Sequence, residues 1–134
     1  MSALRLSLIV LLGYGLAVLA APILVFLAQS VIATIVGDPP PFEDIPTYLL
    51  MGTLITAVYS ALPFLCAIAL MRRFNRRDWP THGAAGALVA YAALAIFSGS
   101  LVPAGVSLLP FLLAGAGAGI VYWLCRRRFG WVPA

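Results

Sequence analysis

The side chains with which this chain could do chemistry are few. It has one histidine, His82, two cysteines, Cys66 and Cys125, and four carboxylates, Asp38, Glu43, Asp44 and Asp78. A histidine can shuttle protons or ligate a metal, a pair of thiols can run a redox cycle, and clustered carboxylates can hold calcium. The spacing here supports none of these. His82 stands alone beside an arginine-rich stretch, where it reads as a cap or interface residue. Cys66 and Cys125 form no ligand or redox pattern, and Cys125, although next to Arg126, has no resolving partner close in sequence. Asp38, Glu43 and Asp44 fall in a proline-rich loop without EF-hand spacing. No nucleotide motif is present. No catalytic residue, metal ligand or cofactor is therefore assigned, and the chain is not expected to be an enzyme.

The polar groups left inside apolar sequence are hydroxyls. Tyr14 lies nine residues past Arg5, and Tyr91 nine past His82. At about 1.5 Å per helical residue that puts both phenols at similar depth, with Tyr59 somewhat deeper. Thr56 and Ser60 are four apart and share a helix face. Tyr14, Thr56, Tyr59, Ser60 and Tyr91 are thus a candidate pocket for a headgroup, a quinone or another apolar ligand. The alternative is that each hydroxyl bonds a neighbouring helix carbonyl and serves packing alone.

The elements that must position these groups follow from composition. The chain is 63% hydrophobic with a mean hydropathy of +1.08 over 134 residues, against about 45–50% apolar for soluble domains. One spanning helix takes about 20 apolar residues, so the sequence predicts an all-α integral membrane protein. The expected architecture is a single four-transmembrane-helix bundle, with spans near 6–30, 48–71, 83–99 and 104–125. Arg5, the apolar core after it and Val18-Leu19-Ala20 carry the three regions of a signal peptide. The apolar run continues past Ala20, however, so an uncleaved first helix is expected, tilted or bent at Pro22. Three successive prolines break the pattern in an outer loop, 37–46. There Asp44 or Thr47 is placed to cap the second helix, with Pro46 in its first turn. Gly83, Gly86, Ala87 and Ala90 make the third span small-faced. Gly115 and Gly119 form a GxxxG pair in the fourth, read as a close contact with helix three, the adjacent helix across a short turn, or with helix four of another copy.

Charge sets the expected threading. All eight basic residues are arginines: Arg5, then Arg72, Arg73, Arg76 and Arg77 in the loop 72–82, then Arg126, Arg127 and Arg128 opening the tail 126–134. They flank hydrophobic runs on one side of the membrane, so both termini are expected in the cytoplasm. The net charge of +4 is read as orientation signal and contact with anionic lipid headgroups, not as a nucleic-acid surface. Arginine without lysine points to GC-rich coding and a bacterial inner membrane. No Asp, Glu, Arg or His falls within the four spans as drawn, which removes the group that proton-coupled transport and most ion pathways require. The expected function is that of a small noncatalytic membrane protein: an accessory, scaffold or assembly subunit of a larger membrane complex, or a homo-oligomer. The alternative is a carrier or channel for a small neutral or lipophilic solute. A continuous polar cavity would favour the carrier, and a packed bundle with small residues on its outside would favour the subunit.

Overall fold

The computed structural model of the chain describes residues 2–39, 44–101 and 108–129. These are all-helical: α1 (Ala3–Val36), α2 (Ile45–Arg73), α3 (Trp79–Ser98) and α4 (Leu108–Phe129). All four are long and apolar enough to cross a membrane. Residues 102–107, in which the fourth span was expected to begin, residues 40–43 of the outer loop, including Glu43, and 130–134 lie outside the described residues.

Local chemistry fixes the helix ends. Thr34 does not stop α1, because a hydroxyl can be satisfied within the helix, as Thr34 Oγ1 is on the Ser30 carbonyl at 2.8 Å. The helix ends instead at Gly37, whose φ of 82° lets the Gly37 and Asp38 amides turn back to the Ala33 carbonyl. At 34 residues α1 is about 51 Å long, well beyond the roughly 30 Å of bilayer hydrocarbon.

α2 and α3 start on the same four-residue device, Asp44-Ile45-Pro46-Thr47 and Asp78-Trp79-Pro80-Thr81. Each Asp carboxylate accepts the threonine hydroxyl and amide, and each proline sits in the first turn, where its missing N–H is not needed. α3 therefore begins at Trp79, ahead of the apolar run. Arg72 and Arg73 close α2, and Arg126 to Arg128 close α4, each set facing the negative end of a helix dipole.

Neighbouring helices run antiparallel in a ring, so that α1 meets α2 and α4, and α3 meets α2 and α4. α4 packs closely on α1 and α3, whereas α2 meets its neighbours over shorter stretches. All the arginines accordingly gather at one end of the bundle.

The α3–α4 contact is the tightest. A Cβ on Gly86 would fall 2.9 Å from the Gly119 Cα, and one on Gly115 would fall 3.1 Å from the Gly86 carbonyl carbon. Gly119 lies against the His82 and Gly86 backbones. Of the two partners open to the GxxxG face, α3 of the same chain occupies it. Gly83 is different, since a Cβ there would meet only Ile120 and the Ala116 carbonyl at ordinary distances of 3.6 Å and beyond.

Candidate functional site

One face of each helix lines a cavity of about 400 Å³ inside the ring. On α3 the lining positions include His82, Ala85, Gly86, Val89, Ala93 and Phe97, spaced by three and four as one helical face requires. The cavity runs from Tyr48, Phe97 and Phe111 at one end to Met71, His82 and Tyr122 at the end that carries the arginines. Small side chains create the space. Ala21, Ala67, Ala93 and Ala118 project inward where larger residues would close it, while Leu8, Leu12, Leu19, Leu62 and Leu65 face outward.

The structure brings together three of the five hydroxyl residues picked out from the sequence. Tyr14, Thr56 and Ser60 all line the cavity. The Tyr14 phenol donates to the Ala57 carbonyl at 2.7 Å and lies 3.1 Å from Ser60 Oγ, and Ser60 itself donates to the Thr56 carbonyl. The Tyr14 ring also lies 4.5 Å from Phe64, centre to centre. These hydroxyls are thus occupied by α2 carbonyls. Tyr59 and Tyr91 lie outside the cavity. The Tyr59 ring packs edge-on to Phe97 at 5.3 Å, and the Tyr91 hydroxyl donates to the Leu101 carbonyl.

The arginine end contains what the sequence reading passed over. Tyr122 is 4% exposed, wedged between Gly13 on α1, Phe64 on α2 and His82 on α3. It follows Gly115 and Gly119 at four- and three-residue steps, so its place on the inner face was legible from spacing. His82 is also 4% exposed. Its Nδ1 lies 2.9 Å from the Asp78 carbonyl, and because a carbonyl only accepts, Nδ1 carries the proton there. The Trp123 indole donates to the Arg77 carbonyl at 2.8 Å, tying α4 to the loop after α2, and Arg127 lies 5.3 Å above the Trp123 ring. Arg72, Arg73, Arg76, Arg77, Arg127 and Arg128 are exposed, and Arg126 is half-buried.

The thiols are unpaired, Cys66 exposed and Cys125 buried, and among the described residues no three of His, Cys, Asp and Glu come together. What the lining offers is a mainly apolar surface, with the Tyr14, Thr56 and Ser60 hydroxyls on α1 and α2 and with Tyr122 and His82 at the arginine end.

Fold and site together define a multi-pass helical membrane protein with an internal apolar cavity. Comparison with family models, curated proteins and solved structures finds no match for the chain.

Proposed function

We propose that the protein is a noncatalytic component of the bacterial inner membrane, with both termini in the cytoplasm, that holds a small lipophilic molecule between its helices. One observation carries this reading. A cavity of about 400 Å³ falls within the ~300–1,000 Å³ of sites that take small ligands, and it is lined almost wholly by apolar groups from all four helices. An empty space of that size in a helix bundle forfeits dispersion contacts on every wall, and an apolar occupant restores them. A hydrated ion or sugar would find no matching ligands, since the Tyr14 and Ser60 hydroxyls are already bonded to α2.

The accessory role stands beside this, because a holder of a lipophilic molecule can serve a larger membrane complex. The glycine faces of α3 and α4 are used on each other. A second copy or other membrane partner would therefore meet the outward leucine-rich faces. The arginines place the bundle's charged end among anionic headgroups.

The test is native mass spectrometry of the full chain in nonionic detergent with added hexadecanol. One bound alcohol per chain is expected, with binding lost in Ala67→Phe combined with Ala93→Phe, which fills the cavity from α2 and α3. A wild-type chain that takes up no alcohol, or a filled variant that binds as well, overturns the reading.

A further inference from the structure

The cavity is mainly apolar, and His82 and Tyr122 line it at the end where the arginines gather. The Tyr122 hydroxyl is fully buried and meets no helix carbonyl; the polar group beside it is the Arg126 side chain, one turn further along α4. It differs in this from Tyr14 and Ser60 in the same cavity, whose hydroxyls are taken by helix carbonyls. Arg126 stands one turn beyond Tyr122 in the last turn of α4, and Arg72 follows the cavity-lining Met71 in the last turn of α2, so both guanidinium groups lie at the phenol's end of the cavity. The acid at this end, Asp78, accepts hydrogen bonds from Thr81 at the start of α3. Beside the phenol lies the His82 ring, 6.1 Å away centre to centre and tilted by 24°. An apolar tube thus ends in a buried hydrogen-bonding group with two cations at its rim.

We infer that the occupant is a phosphate-headed membrane lipid, with a hydrocarbon chain in the cavity and its phosphate at the Tyr122, Arg72 and Arg126 corner. This rests on the lipophilic-ligand reading above and specifies it. Phosphate oxygens are strong acceptors. Arginine meets them with two parallel N–H donors, and a phenol adds a third donor at the point where headgroup gives way to chain. A neutral head would gain the phenol bond but nothing from the guanidinium groups. A cationic head would be repelled by them.

The test compares three probes of equal chain length, hexadecyl phosphate, hexadecanol and hexadecyltrimethylammonium, competing for the full chain in nonionic detergent with adduct formation read by native mass spectrometry. Hexadecyl phosphate is expected to bind one per chain and about tenfold or more tighter than hexadecanol, in line with charge-assisted bonds, with the ammonium weakest. Arg72→Gln with Arg126→Gln should bring phosphate and alcohol to within about twofold, the difference a neutral hydrogen bond leaves. Tyr122→Phe should weaken both probes. Arg73→Gln with Arg127→Gln removes the same charge from neighbouring positions of the same turns and should keep the preference. The inference is overturned if phosphate binds no tighter than alcohol, if its preference survives loss of Arg72 and Arg126, or if the Arg73 and Arg127 variant loses it equally, which would mark simple surface attraction. Failure of all three probes to bind would remove the lipophilic-ligand reading itself.

Discussion

Two tyrosines in one cavity make opposite use of their hydroxyls. The Tyr14 phenol bridges α1 to the Ala57 carbonyl on α2, so Tyr14→Phe should lower stability by about 0.5–1.5 kcal/mol, the size of an interhelical hydrogen bond. The Tyr122 hydroxyl is buried and meets no helix carbonyl, so Tyr122→Phe should cost the unliganded protein less than Tyr14→Phe does. Unfolding of both variants in mixed micelles, monitored by circular dichroism, checks the contrast. The two helix-capping aspartates make a pH prediction. Hydrogen bonds from the Thr47 hydroxyl, then its amide, hold Asp44 below the ordinary carboxylate range, and Thr81 does the same for Asp78. A depressed folded-state value means that each cap contributes fully above the unfolded pKa and loses its contribution as the pH falls below that value and through the depressed one. Asp44→Asn with Asp78→Asn, which can still cap but cannot titrate, should flatten the fall in Tm on acidification below about pH 4. Residue by residue, the sequence was partly legible. Counting depth along each helix placed Tyr14 and Tyr91 at one height, but depth says nothing about direction around the helix. Tyr14 therefore faces inward while Tyr91 turns to the Leu101 carbonyl.

At the scale of helices, the legible feature was the Gly115–Gly119 groove, and the illegible one was its partner. α3 offers Gly83, Gly86, Ala87 and Ala90, any of which is small enough to enter such a groove, and the choice depends on register. The structure selects Gly86. Gly86→Ala should therefore cost about 1–3 kcal/mol through overpacking against the Gly115 and Gly119 backbone, while Gly83→Ala, with ordinary space around it, should stay within about 0.5 kcal/mol. Comparable losses in both variants, measured by thermal unfolding in detergent, would contradict that register. The inner faces were hard to read for a physical reason. In a soluble helix the polar side marks the outside, but here lipid and cavity are both apolar, so no contrast in polarity separates the two faces. The usable contrast is size, with alanine and glycine inward and leucine outward. The repeated Asp-x-Pro-Thr start of α2 and α3 was legible as well, since cap, proline and threonine sit at fixed offsets within each four-residue stretch.

For the molecule as a whole, four apolar helices and a one-ended charge distribution follow directly from hydropathy and the positions of eight arginines. The internal cavity does not, because it depends on how far apart α2 stands from the close-packed α1, α3 and α4. The arginine end is predicted to face the cytoplasm. In a background of Cys66→Ser and Cys125→Ala, Glu43→Cys should react with an impermeant thiol reagent on intact cells and Asn75→Cys should not; the reverse pattern would invert the threading. The central claim is that the cavity holds a lipophilic molecule, and the most direct measurement is native mass spectrometry of the chain extracted from its own membrane without delipidation, beside the same preparation of the Ala67→Phe, Ala93→Phe variant. A single apolar adduct retained on the wild-type chain and absent from the folded variant is the predicted result. A wild-type chain that emerges bare, or an adduct that persists unchanged when the cavity is filled, would contradict it.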